Sequence, residues 1–196
     1  MKRGYIYTLG YMVVLTGILV FALAFAYEGF KPRIASNEQI KERRAVLDSL
    51  GLDRGLDDEE VNASFDALIK AGEVKGSDAY VYEEAGDIKG YALPFTGAGL
   101  WGSISGYLGV NAEMTQTTGI VFTVQSETPG LGGRIDEVQY KEQFRGLPVQ
   151  ASSPLAYGNH GDYEVDAITG ATQTSNAVLK MVNQMMQDVI FKGEAD

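Results

Sequence analysis

Asp166-Ala167-Ile168-Thr169-Gly170-Ala171-Thr172-Gln173-Thr174-Ser175 is the stretch on which the reading of this chain turns. After it, Ala177, Val178, Met181, Val182, Met185, Met186, Val189 and Ile190 recur at three- and four-residue spacing. That period predicts an amphipathic helix running to about Phe191. Thr172, Thr174 and Ser175 then fall in its first turn, where unpaired backbone N–H groups and the positive end of the helix dipole favour an anion, a phosphate above all. Gly170 suits such a place, because a residue without Cβ lets the chain turn sharply and lets a ligand come close to the main chain. A plainer reading stands beside this one: Ser and Thr cap helices for hydrogen-bonding reasons alone.

Working outward, the period upstream is that of strands. Residues 79–83 and 88–93 are β-rich runs separated by Ala85-Gly86-Asp87, which reads as a hairpin, and residues 120–124 read as a further, interior strand. Helices flanking a mainly antiparallel sheet give an α+β domain over 77–196. Two glycine-rich loops interrupt it. Residues 96–106 carry the sole Trp, Trp101, and contain Gly97-x-Gly99-x-x-Gly102. That pattern binds dinucleotides only within a strand–turn–helix unit of a parallel sheet. The surrounding residues read as strands and turns, so NAD is not expected; Leu100 and Trp101 would instead suit packing beside a flat ring. The second loop is Glu127-Thr128-Pro129-Gly130-Leu131-Gly132-Gly133, whose Pro-Gly pair taken alone is a turn signal.

At the other end, residues 4–27 hold no charge and are mostly apolar. As a helix they reach beyond the roughly 30 Å of a hydrocarbon core. Tyr5, Tyr7, Tyr11 and Tyr27 lie where an interfacial aromatic belt would be. Ala24-Phe25-Ala26 after a basic start also fits a cleaved signal peptide, but the run exceeds the roughly 7–15 residues of such a segment, which favours an uncleaved anchor over 1–33. Lys2 and Arg3 before the span nearly balance Lys31 and Arg33 after it, so charge alone leaves the orientation open. Pro32 is expected to end the membrane helix. A helical segment, 34–76, is expected to pack on the domain: one helix from Ser36-Asn37-Glu38-Gln39 to about Leu50 with Gly51 as its stop, and a second with Val61, Phe65, Leu68 and Ile69 buried, ending near Gly72. Asp57-Asp58-Glu59-Glu60 is better explained as acid at a helix start than as a calcium loop.

Composition removes whole classes of function. With 196 residues and 45% hydrophobic content the chain can hold one domain and a short appendage. The absence of Cys excludes disulfides, thiolate chemistry, Cys-ligated metals and Fe–S clusters, so any electron carrier is organic. One His, His160, cannot build a His-rich metal site, and the net charge of −10 argues against nucleic acid. No nucleophile–base pair for a substrate reaction is present.

Asp166, Thr169-Gly170-Ala171-Thr172, Thr174-Ser175, the Gly99-Leu100-Trp101 loop and Glu127-Thr128-Pro129-Gly130-Leu131-Gly132 together resemble a family of FMN-binding proteins. Its members are the G subunit of the Rnf electron transport complex and the C subunit of the Na+-translocating NADH:quinone oxidoreductase (Nqr). The resemblance covers about residues 90–191. It implies that Thr172 carries FMN through a phosphoester bond, and that Asp166 is the acidic residue a flavin transferase needs. It further implies that Thr169, Gly170, Ala171, Thr174 and Ser175 surround the phosphate while Leu100, Trp101, Glu127, Thr128, Gly130 and Leu131 lie about the ring. The chain would then be a single-pass inner-membrane protein, its N-terminus cytoplasmic and its FMN domain extracytoplasmic. It would relay electrons among the other membrane subunits of an ion-translocating complex rather than catalyse a whole reaction. Gln125 departs from the pattern, where many members carry His. Two other readings remain open: a membrane-anchored binding or assembly module without covalent flavin, and a flavin-dependent reductase acting alone.

Overall fold

Lys75-Gly76 and Ala85-Gly86 are two-residue turns in which all four residues have positive φ (49°, 81°, 55° and 88°). Such turns match the twist of antiparallel neighbours and so create hairpins. In the computed structural model, which describes residues 2–53, 55–158 and 161–192, they join β1 (Ile69–Val74), β2 (Ser77–Glu84) and β3 (Asp87–Ala98). β4 (Ser103–Asn111) and β5 (Thr117–Val124) complete a five-stranded antiparallel sheet in the order β1-β2-β3-β4-β5. The expected hairpin around residue 86 is present, and so is the mainly antiparallel α+β class. His160 and Asn159 lie outside the described residues.

Residues of alternate parity along β3 and β4 feed two cores. Leu93, Phe95, Ile104, Leu108 and Val110 pack with Ile135, Tyr140, Phe144, Val178 and Val182 on one face. Ala92, with Tyr80, Tyr82 and Tyr107, packs against Val46, Leu47, Leu50 and Val61 on the other. The first face is covered by a 3₁₀ turn (Gly132–Asp136), α3 (Val138–Glu142) and α4 (Thr172–Met185). A short parallel pair, β6 (Ala156–Tyr157) and β7 (Glu164–Val165), precedes α4. β5 is not interior as its apolar run suggested: it ends the sheet order. Its outer edge is covered by the loop after α3, where the Thr117 N–H donates to the Leu147 carbonyl at 2.9 Å and the Gly146 N–H to the Thr117 carbonyl at 2.9 Å. Coverage of an edge by a loop leaves the same hydrophobic signature as a flanking strand.

The helices differ from expectation in three places. α1 runs unbroken over Lys2–Ser49 with Pro32 inside it, so Ser36 starts no new helix. Proline removes one intrahelical bond, and here helix-compatible residues on both sides continue the turn across it. α1 stops where expected: the Leu52 N–H donates to Leu47 O at 2.8 Å and the Gly51 N–H to Asp48 O at 2.9 Å, the paired bonds of a Schellman end. α2 (Asp58–Leu68) begins with a capping box between Asp57 and Glu60, which accounts for the acidic run. It ends before Ile69, because residues 69–74 form β1 rather than a last helical turn near Gly72.

The chain divides into two compact units, 1–39 and 40–196. In the first, the described side chains are exposed and the apolar stretch has a mean hydropathy of 2.4, long and apolar enough to cross a membrane. The second holds both cores.

Candidate functional site

α4 buries Val178, Leu179, Met181, Val182 and Met185 as its period predicted, and a π-helical turn (Met186–Ile190) follows. Its N-cap, Ala171, supplies no side-chain bond. Among the described residues, the N–H groups of Thr172, Gln173 and Thr174 donate to no partner, whereas the Ser175 N–H is the first taken up, by Ala171 O at 3.0 Å. Three successive donors at a helix start, with the dipole behind them, are what an anion needs. The first residue of the helix, Thr172, has its side chain exposed. Gly170 has φ 81°, a left-handed conformation, and a Cβ there would lie 3.4 Å from Leu131 Cδ2. The chain thus turns into the helix hard against the second glycine loop.

The three hydroxyls that the sequence treats alike are sorted by the fold. Ser175 is fully buried, and its Oγ accepts the Ile168 N–H at 3.1 Å. Thr174 is buried too, and its Oγ1 donates to Glu127 Oε2 at 2.6 Å. Both hydroxyls are taken up within the fold, and of the three only Thr172 is exposed. Thr169 is exposed and Ala171 buried.

Residues 96–98 and 103–106, expected as loop, are the paired ends of β3 and β4. Only residues 99–102 turn, with the Gly99 N–H donating to Gly102 O at 2.7 Å. Gly97-x-Gly99-x-x-Gly102 therefore lies in a β-hairpin. At its tip Leu100 and Trp101 are 54% and 70% exposed, apolar surface that no described residue covers. The second loop is closed on the Thr128 carbonyl, which accepts the Leu131 and Gly133 N–H groups at 3.1 and 3.0 Å, with Gly130 at φ 74°. Leu131 is exposed. Glu127 is buried and turned inward, where its Oε1 accepts the Leu100 and Trp101 N–H groups at 2.8 and 3.0 Å. The Gln125 amide is engaged at both ends, its Oε1 accepting the Glu127 N–H and its Nε2 donating to Asp136 Oδ2, each at 2.8 Å.

Asp166 is exposed, and its N–H donates to Gln143 Oε1 at 2.6 Å. The strip 166–169 borders a cleft of about 680 Å³ whose other walls include Arg134, Tyr140, Gln143 and Tyr157. The Tyr140 and Tyr157 hydroxyls meet at 3.2 Å, and burial raises both above the usual phenol range, so both stay protonated. Arg134 forks onto Glu137 at 3.0 and 3.1 Å. The wall formed by Gln143 and the two tyrosines carries no sequence signal, because these residues come from segments unrelated in spacing to the motifs. Among the described residues no group of His, Asp and Glu is placed to hold a metal ion. Free N–H donors at the helix start, an exposed hydroxyl and an uncovered Leu-Trp tip fit a phosphate at one end and a flat ring at the other.

Comparison with known proteins agrees with this chemistry. Residues 99–187 match the family model for the FMN-binding domain. The C subunit of the Na+-translocating NADH-quinone reductase of Pasteurella multocida is 35% identical over 54% of this chain and 44% of that protein. The G subunit of the ion-translocating oxidoreductase complex of Methanosarcina acetivorans is 28% identical over 91% of this chain and 90% of that protein. The chain spans less than half the length of the first curated relatives it matches. In fold it resembles the crystal structure of the reductase's C subunit from Parabacteroides distasonis, with a TM-score of 0.67 and 24% identity over 80% of this chain and 92% of that one. The three motif segments all lie inside residues 99–187, so this part of the chain is similar to the FMN-binding domain, and the relatives it matches include a C subunit of a Na+-translocating NADH-quinone reductase and a G subunit of an ion-translocating oxidoreductase complex.

Proposed function

We propose that this chain is the electron-relay subunit of an Rnf- or Nqr-type membrane complex, carrying FMN as a phosphoester of Thr172. The observation that carries the reading is the start of α4: an exposed Thr172 hydroxyl beside three N–H groups without partners, in a helix whose N-cap side chain contributes nothing. FMN accepts and gives up electrons one at a time, which is the chemistry a relay needs. The chain's own residues hold and aim it. The N–H groups of residues 172–174 would receive the phosphate oxygens, and the esterified Thr172 Oγ would prevent loss of the cofactor. Leu100, Trp101 and Leu131, exposed beside Glu127, Thr128 and Gly130, would shelter the ring. Asp166, exposed six residues before Thr172, is open to a flavin transferase.

The apolar stretch within residues 1–39 would anchor the chain in the inner membrane with its N-terminus cytoplasmic and the FMN domain outside, where a cofactor that dissociated would be lost. Electrons would arrive from one membrane subunit and leave to another. Intact mass tests the attachment: the chain co-expressed with a flavin transferase should exceed its sequence mass by one FMN less one water, and Thr172→Val should not. Covalent flavin retained in Thr172→Val would refute the assignment. The subunits that co-purify in detergent identify the type of complex.

A further inference from the structure

Glu127 is 5% exposed, and among the described residues no Lys or Arg pairs with it. Its carboxylate is held instead by three donors from two separate parts of the fold. Oε1 accepts the Leu100 and Trp101 N–H groups at 2.8 and 3.0 Å, and Oε2 accepts the Thr174 hydroxyl at 2.6 Å. Room for it depends on two missing Cβ atoms. One at Gly99 would lie 2.5 Å from Oε1, and one at Gly132 would lie 2.8 Å from Oε2 and 2.5 Å from Thr174 Oγ1. Hydrogen bonds to an ionised acceptor are the strong kind, and both ends of this one are shielded from water.

We infer that Glu127 is a positioning residue rather than a cofactor ligand: one buried carboxylate ties the Leu100-Trp101 hairpin tip to the first turn of α4. Thr174 lies two residues beyond Thr172, so the tie sets the spacing between the hydroxyl end and the aromatic end of the site. The tie is made entirely of the chain's own groups. Its functional meaning rests on the flavin reading above, whereas the tie itself can be tested without flavin. The side chains at the tip are exposed, so ordinary loop amides there would exchange quickly. The Gln125 amide supports the tie from behind by accepting the Glu127 N–H.

The test uses the full chain in detergent, made without a flavin transferase. Trp101 is the only Trp, so its emission reports the tip alone. In the wild type, the Leu100 and Trp101 amides should be protected from hydrogen exchange and Trp101 anisotropy should be high. Glu127→Ala should speed exchange at those two amides by about tenfold or more and free the indole. Glu127→Gln, whose amide oxygen can still accept both N–H groups, should restore most of the protection. If the Ala variant does not fold, Thr174→Val, which removes the donor to Oε2, should still show intermediate exchange. Wild-type exchange and anisotropy in a folded Glu127→Ala protein, or in Thr174→Val where the Ala variant does not fold, would overturn the inference. A wild-type chain that gains no FMN mass on co-expression with a flavin transferase would instead overturn the flavin reading and leave the amide result standing.

Discussion

Thr172, Thr174 and Ser175 look interchangeable in the sequence, and replacing each in turn should separate them. Ser175→Ala removes the acceptor of the Ile168 N–H, at a site where Ser175 is 0% and Ile168 7% exposed. A buried donor left unpaired costs about 1–3 kcal/mol. For a domain of this size each kcal/mol moves the midpoint by roughly 2–4 °C, so a central cost of about 2 kcal/mol lowers Tm by about 4–8 °C. Thr174→Val strips one of the three donors from the Glu127 carboxylate, and bonds to a charged group contribute about 1.5–3 kcal/mol, so its loss should be at least as large. Thr172 is exposed and its N–H and hydroxyl serve no partner among the described residues, so Thr172→Val should stay within about 0.5 kcal/mol of wild type. The assay is thermal and urea unfolding of each full chain in detergent, with the intact mass of the same variants after co-expression with a flavin transferase. Ser175→Ala and Thr174→Val should lose stability, whereas Thr172→Val should lose the flavin and nothing else. A Thr172→Val protein destabilised by more than about 1 kcal/mol, or a Ser175→Ala protein as stable as wild type, would refute the sorting.

Other perturbations have equally definite outcomes. Burial raises the Asp48 carboxyl above its ordinary 3.8 although Lys141 Nζ lies 3.6 Å away and lowers it. The folded state therefore holds this proton more firmly than the unfolded state, and ionising Asp48 opposes folding. Wild type should lose stability relative to Asp48→Asn as pH rises from about 4 through the folded value; a gain relative to the Asn variant over that range in unfolding titrations would contradict the raised carboxyl. Gly170→Ala imposes a left-handed conformation on a residue with Cβ, at a cost of about 1–2 kcal/mol, and should also reduce flavin attachment measured by in-gel fluorescence. The full chain should sediment with membranes and need detergent for release, whereas a fragment of residues 40–196, which holds both cores, should remain in solution with a cooperative thermal transition.

Some of this protein is decided by residues close together in sequence. Ala85-Gly86 makes a hairpin because two adjacent residues adopt positive φ, a helix ends at Gly51 because the Gly51 and Leu52 N–H groups bond carbonyls three and five residues back, and the apolar period of α4 is read from a single face. The membrane-length apolar run and the three motif segments are likewise local, and so is the family resemblance they carry. Where the local signal is ambiguous, partners distant in sequence settle it. Ile69 belongs to β1 because β2 is there to pair with it. β5 has an interior strand's composition because a loop covers its outer edge.

The site divides in the same way. The residue types that the proposed phosphate and ring sites need are written in the Thr-Gly-Ala-Thr and Glu-Thr-Pro-Gly-Leu-Gly segments. Which hydroxyl remains available is not, because that depends on Glu127 reaching Thr174 across 47 residues and on Ser175 meeting Ile168 within the turn. Hydrogen-bond partners in a buried site are chosen by three-dimensional proximity, and side chains identical on paper become structural or functional according to whether the fold leaves a polar partner beside them.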